Sequence, residues 1–516
     1  MYRFLFFLLA IFLFGAYSYA QVFPKEGDKL NYRIVPFLLT NSKKIDNYKI
    51  ELAEGFFNNN DSFAKAVIKT VSGKERKIII TVPKFGRQYT WRVVSAKAPD
   101  RAIGARFNHF SVGTDASVDT GLTKIRVNRS SEEYKDGYVF MDGARALYDM
   151  NGEPIWYLPE MGGMIKENSM VRDLKLSCKH TITFIFEGDA FEIDYNGKIL
   201  WKGPSGHKER IDSLEGYHHE FTRLSNGHYM ALAFEPIARR KPPTSDSARR
   251  AMSDSLRRAN RNLVRKPRYG EILEYNEAGA LVWSWKSSAW LSHADLSAYK
   301  KADGMPELDP HENSFYFDEK EQHIYLSFRN ISQVLKISYP DGKVLETYGL
   351  PENPATDLSS SFFCGQHSCK ISEKGYLYVF DNGCDATTLP KIVMMHEPVS
   401  AKDSLRKVWE FDCPVKLAKM PPPNVNTPPL NIPSRKMLFS SGGNVEELPG
   451  GHAIFASMCS PYAKLFIVSA DKKVLWSAVP EKWRQGKNEW QPLQQYRASI
   501  IADPKDVEAL IWNSVR

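Results

Sequence analysis

The sequence predicts an all-β protein: a six-bladed β-propeller behind a small N-terminal β-sandwich-like domain. Three observations predict it. One hairpin pattern recurs six times along the chain, a second pair of apolar runs joined by a turn precedes most copies, and sustained helical periods are too few for a doubly wound α/β fold.

The first segment, MYRFLFFLLAIFLFGAYSYA, combines a positive start at Arg3, an apolar run from Leu5 to Leu13 and small residues at Ser18 and Ala20. That is the layout of a secretory signal peptide over residues 1–20. The apolar run is shorter than the ~20 residues of a spanning helix, so no stable membrane anchor is expected and the mature chain should be periplasmic or secreted. Residues 21–125 carry KLNYRIVPFLL, YKIELAEGFF, KIIITVPK and QYTWRVVSA, read as an N-terminal β-rich domain. Residues 126–516 form the propeller.

Its six hairpins are ALYDMNGEPIW (146–156), FEIDYNGKILW (191–201), ILEYNEAGALVW (272–283), VLKISYPDGKVLE (334–346), IVMMHEPVSAKDSLRKVW (392–409) and LFIVSADKKVLW (465–476). In each, period-two apolarity flanks a turn rich in Asp, Asn or Gly, and most copies end in Trp. With the upstream runs, two hairpins make four strands, the unit of a propeller blade. PPPNVNTPPLNIPSRK, 421–436, reads as a loop between the last two blades, and the final segment returns to close the ring.

The whole chain carries a net charge of +9. Between Arg239 and Arg268 stand eleven Lys or Arg against Asp246 and Asp254. An exported protein meets little nucleic acid, and the segment lacks interleaved aromatics, so it reads as a solvated loop with one helical stretch near Ala251–Val264. Six cysteines are too few for a disulfide scaffold. Cys364 and Cys369, five apart around His367, are the expected pair, and their spacing is unlike that of a zinc site.

Aligning the blades on their hairpins places polar residues at the same point of successive units: His218 and His219 in GYHHEF, His311 and Asn313 in DPHENS, Gln366 and His367 in CGQHSC, Asn444 in SSGGNV. Strand starts near a propeller axis converge, so these side chains should meet in one pocket, with Arg329 reaching it from YLSFRNISQ. Glu220 and Glu312 are expected to orient the rings. His218 should point away, because side chains alternate along a strand. A lone histidine is usually a core or surface residue, and only their recurrence argues for a site. A metal is disfavoured because Arg329 would repel a cation; a small oxyanion suits the pocket. Phe362, Phe363 and Tyr376 are candidate walls for an aromatic ring.

The ordered set His219-Glu220, His311-Glu312-Asn313-Ser314, Ser327-Phe328-Arg329, Gly365-Gln366-His367 and Phe380-Asp381-Asn382-Gly383 resembles the motifs of bacterial arylsulfate sulfotransferases. The resemblance implies transfer of a sulfuryl group from a phenolic sulfate donor to a phenol acceptor, with no cofactor and no phosphoadenosine phosphosulfate. It implies that His367 is the nucleophile, that His219, His311 and Arg329 hold the sulfuryl oxygens, and that Asn313 supports them. His218, Gln366 and Asn444 complete the substrate-binding candidates. The alternatives are a non-catalytic exported propeller that binds glycan or protein, and a metal-assisted lyase or hydrolase. The oligomeric state stays open between a monomer and a homodimer.

Overall fold

The computed structural model describes residues 22–39, 48–95, 106–113, 122–164, 170–204, 216–235, 267–299, 306–349, 362–383, 389–400, 402–414, 442–459, 463–484, 486–493 and 495–515. The signal-peptide segment, most of the basic segment with its helical stretch, and the Pro/Asn-rich loop lie outside these. Two compact units divide the chain between residues 114 and 115.

In the first unit, one sheet orders Val22–Phe23, Ile34–Leu39 and Lys77–Thr81. A second orders Asp28–Leu30, Asn108–Val112, Arg87–Ser95, Tyr48–Glu54 and Val67–Gly73. Phe37 of the first meets Trp91 of the second edge-to-face, ring centroids 4.9 Å apart. A short helix, Asn60–Ala66, was not expected from sequence; Asn59 caps it by accepting the Ser62 N–H.

The second unit consists mostly of four-stranded antiparallel sheets, each built from consecutive strands. They run from Val171 to Lys202, Tyr217 to Lys286, Glu312 to Gly349 and His367 to Asp412, and a six-stranded sheet runs from Asn444 to Pro492 with Thr123–Arg129 added. A further sheet joins Tyr138–Met141, Ala146–Asp149 and Pro154–Tyr157 to Ala498–Ile501 from the far end of the chain. Thr123–Arg129 pairs with Val474–Arg484 in turn, so both ends of the unit are knitted into sheets made by the other end. The first strand of each sheet touches the first strand of the next, and the series Ala498–Ile501, Val171–Leu176, Tyr217–Arg223, Glu312–Asp318, His367–Ile371 and Asn444–Glu447 returns to its start.

The recurring Trp has a structural reason. Of the hairpin-ending tryptophans, Trp156 donates its indole N–H to the Tyr195 carbonyl, Trp283 to Pro340, Trp409 to Ala470 and Trp476 to Met150. Each acceptor lies in the hairpin turn of the next sheet, so the polar edge of each Trp latches neighbouring sheets, and Trp156 and Trp476 also bury their apolar bodies. Between sheets the core is continuous: Leu232, Ile272, Leu326 and Ile337 pack in one cluster, and Tyr325, Val334, Val379 and Val393 in another.

Candidate active site

Four of the six first strands begin irregularly. Register shifts fall between Arg172 and Lys175, Tyr217 and Phe221, Glu312 and Ser314, and His367 and Cys369. Asp173, His219, His311 and Ser368 there adopt left-handed φ of 55°, 62°, 61° and 54°. Such bulges turn side chains off the pleat and are common beside functional sites. Here they break the alternation on which the orientation of His218 was predicted. Both His218 and His219 are buried, their Nδ1 atoms 2.6 Å apart, and His218 also stacks on Phe234 at 3.9 Å.

His219 lies edge-on to His311, ring centroids 5.1 Å apart. Tyr496 packs against His219 at 5.5 Å and against His367 at 6.3 Å, and so bridges the two. The Arg172 guanidinium sits 5.1 Å from the Tyr496 ring centre. Arg329 is tied to His311 through the backbone, its N–H donating to the His311 carbonyl at 3.0 Å, and its Nη1 donates to Asn330 Oδ1 at 2.7 Å. The sequence-predicted residues His218, His219, His311, Arg329 and His367 thus come together.

The charges around them are cationic. Burial first, then the neighbouring His218, His311, Arg172 and Arg497, hold His219 well below the ordinary imidazole pKa. Burial and then Arg329, His311 and Arg497 do the same to His367, against the opposing Asn382 hydrogen bond. His218 is pushed down to about 3 by burial and the His311 charge. Neutral imidazoles with free-electron-pair nitrogens beside fixed guanidinium groups can attack an electrophile while its anionic oxygens are held.

Three expectations need correction. Glu220 and Glu312 do not orient the histidine rings: Glu220 accepts from Lys175 Nζ and Arg497 Nη1, and Glu312 from Gly270 N–H and the Ser287 hydroxyl. Asp309 instead stands 3.8 Å from His311 Nδ1, and Asn382 Oδ1 lies 2.6 Å from His367 Nδ1. Cys364 is disulfide-bonded, but Cys369 is a free, buried thiol. It is held among Ser314 and Tyr325 of the adjacent sheet, so the expected pair does not form. Phe363 belongs to the core between sheets, with Phe362 packed against that core, and Tyr376 faces His396.

The other candidates act as struts. Asn313 Nδ2 donates to the Gln366 carbonyl at 2.8 Å, beside His367. Gln366 Nε2 is used by Ser327 Oγ and by the Phe328 and Gln333 carbonyls. Asn444 bonds the Ala498 backbone with both ends of its amide, 2.7 and 3.2 Å. Sequence reasoning missed Arg172, Asn382, Tyr496 and Arg497. The first stands in VRDLKL, a strand start equivalent to the histidine-bearing ones, and Asn382 lies in the Phe-Asp-Asn-Gly motif already singled out. Nothing around Tyr496 repeats. Among the described residues, no group of three or more His, Cys, Asp or Glu is arranged to hold a metal.

A model of the arylsulfotransferase (ASST) family matches residues 124–402, more than half of the chain. The chain therefore belongs to that family, and is an aryl-sulfate sulfotransferase enzyme acting on phenolic substrates. No curated protein matches it. Solved structures similar to it include a protein of unknown function from Bacteroides caccae, 12% identical over 74% of this chain and 100% of that one, TM-score 0.38. Another is streptogramin B lyase, at 10%, 73%, 91% and 0.34 in the same order. A third is an auxiliary nutrient binding protein from Bacteroides ovatus, at 8%, 92%, 89% and 0.32. Likenesses this remote carry no argument about the site.

Proposed function

We propose that this enzyme moves a sulfuryl group from a phenolic sulfate ester to a phenol in two half-reactions through a sulfated His367, without phosphoadenosine phosphosulfate. The observation that carries the reading is the gathering of His219, His311, Arg329 and His367, from three sheets, into one cluster in which His219 and His367 are buried and His311 and Arg329 are half-buried. In the first half-reaction His367 Nε2 bonds to sulfur as the bond from sulfur to the aryl oxygen breaks. The electron pair leaves on the phenolate, and His311 supplies the proton it takes up, since His219 is held neutral by burial and its cationic neighbours. In the second, an incoming phenol gives its proton to the same group and its oxygen displaces the imidazole from sulfur. Arg329 and the flanking imidazoles hold the three peripheral oxygens, where charge accumulates. A neutral imidazole is both a competent nucleophile and a good leaving group, so one hard transfer becomes two easier ones.

The ring of first strands is best read as the axis of six blades, residues 126–516, with the earlier sheets as a separate N-terminal β domain. The leader-like first 20 residues fit a periplasmic or secreted enzyme.

p-Nitrophenyl sulfate with phenol tests the activity. Nitrophenolate should appear, a peptide containing His367 should gain the mass of one sulfuryl group when acceptor is withheld, and His367→Ala should abolish both. Full turnover by His367→Ala would remove the assignment.

A further inference from the structure

His367 is bonded at both ring nitrogens. Nδ1 lies 2.6 Å from Asn382 Oδ1, and the Gly442 backbone N–H donates to Nε2 at 3.1 Å. Asn382 closes the loop, its Nδ2 donating to the Gly442 carbonyl at 2.9 Å. Two of these partners have no choice of role. A backbone N–H can only donate, so the nitrogen facing Gly442 carries the lone pair and, in the neutral ring, Nδ1 carries the proton. A carbonyl can only accept, so the amide end facing Gly442 is the NH2 and the end facing His367 is the oxygen. Backbone groups at both ends thus fix the tautomer and the amide orientation together.

The Asp-Asn-Gly turn holds this arrangement. Asp381 Oδ1 accepts the Cys364 and Gly383 N–H groups, and Gly383 takes a left-handed φ of 74°. Asn382 is buried, one residue past the strand that pairs with His367's own. Gly442 has no room for a side chain: a Cβ there would lie 2.7 Å from the Tyr496 ring and 2.9 Å from Cys459 Sγ.

We propose that Asn382 is the positioning residue of the transfer: its side-chain amide keeps the proton of His367 on Nδ1 and aims the Nε2 lone pair at the sulfuryl sulfur, which replaces the Gly442 N–H as the partner of Nε2. This rests on His367 being the nucleophile. As the nitrogen–sulfur bond forms and the aryl oxygen leaves with its electron pair, the Nδ1 proton stays on the ring. A neutral amide oxygen holds that proton without removing it. The sulfated ring is then displaced in the second half-reaction as neutral imidazole rather than as imidazolate, a far poorer leaving group.

The tautomer can be read without turnover. In protein labelled with ¹⁵N-histidine, the His367 signals, identified by their loss in His367→Ala, should show a protonated Nδ1 and an unprotonated Nε2 at neutral pH. A protonated Nε2 would overturn the proposal. In kinetics, Asn382→Ala should lower kcat on the order of 10- to 100-fold, as for partners that orient ligating imidazoles, with little change in donor KM. Asn382→Asp keeps the acceptor but adds a charge that favours the imidazolium, so it should retain activity at alkaline pH. Its acidic limb should move up by about 1–3 pH units. Both variants turning over with wild-type kcat and the wild-type acidic limb would equally overturn it. If Asn382→Ala does not fold, Asn382→Asp and the tautomer decide alone. A sulfuryl-enzyme that still forms in His367→Ala sinks the nucleophile assignment instead, a failure that the tautomer measurement does not share.

Discussion

Arg497 and Asn313 are joined across the centre of the second unit, Arg497 Nη2 donating to the Asn313 carbonyl at 2.8 Å. Its Nη1 is shared by Asp173, at 3.0 Å, and Glu220. Asn313 passes the connection on to Gln366 and so to the strand of His367. Arg497, just before the last strand of the chain, therefore ties together the first strands of three other sheets.

Arg497→Met should be among the most damaging substitutions in the protein. It leaves two buried carboxylates with Lys175 as their remaining ion-pair partner, and breaking a buried pair from one side costs about 3–5 kcal/mol. Although burial raises its pKa, Glu220 is held down to about 2 by Arg497 and Lys175, and it is ionised whenever Arg497 is there to meet it. Combining Arg497→Met with Glu220→Gln should recover part of the loss, since the second change removes a charge that the first leaves stranded. A denaturant-melting cycle with an interaction of about 1–3 kcal/mol would show it; simple additivity would refute it.

What could be read in advance follows from range. The hairpins were legible because a strand's period of two and its turn residues are local, and each predicted hairpin forms where its pattern lies. The convergence of His219, His311 and His367 was legible because repetition places equivalent residues alike. The bulges were not legible, since a left-handed His219 or His311 looks no different in sequence from an extended one. For that reason alternation misplaced His218, and nearness in sequence mispaired Cys364 with Cys369. Arg497 and Tyr496 lay beyond reach: they stand just before the strand Ala498–Ile501 that closes the ring from the far end of the chain, where no repeat points to them. The helix Pro504–Asn513 was within reach, announced by Asp503 as cap and Pro504 in the first turn.

Arg329 sits in a turn braced against the residues before His311. Its backbone N–H meets the His311 carbonyl, and Asn330 donates to the Asp309 and Pro310 carbonyls at 2.8 and 3.1 Å. Charge developing on sulfuryl oxygens should meet it without rearrangement. Arg329→Ala is expected to lower kcat on the order of 10²–10³-fold. Arg329→Lys should recover only part, since a point charge replaces a planar fork. The Arg329 charge also lowers the His367 pKa, so in Arg329→Ala the acidic limb of the rate profile should move up. An unmoved limb would mean that the guanidinium does not face the ring.

Stability should respond to pH through two opposed sets of buried groups. His218, His219 and His367 have depressed pKa values from burial and neighbouring cations. Below about 6.5 the unfolded chain binds protons that these folded residues refuse, so they cost stability as pH falls, by up to about 1.4 kcal/mol per unit each. Burial raises Asp142 and Glu312 to about 7 and Asp381 to about 6. Between about 4 and those values the folded state holds protons that the unfolded chain releases, so these carboxyls add stability as pH falls. The two sets offset one another at mildly acidic pH, and below about 4 the histidine loss continues, joined by that of Glu220 and Asp309, whose pKa values are depressed. Glu312→Gln isolates one member, because the amide keeps the oxygen that accepts from Gly270 and Ser287 and cannot ionise. Relative to wild type, the variant should gain about 1.4 kcal/mol per pH unit between about 4.5 and 7 and level off above. Urea melts of both proteins at pH 5, 6, 7 and 8 would measure it, and a difference independent of pH would show that Glu312 is ionised in the folded protein throughout.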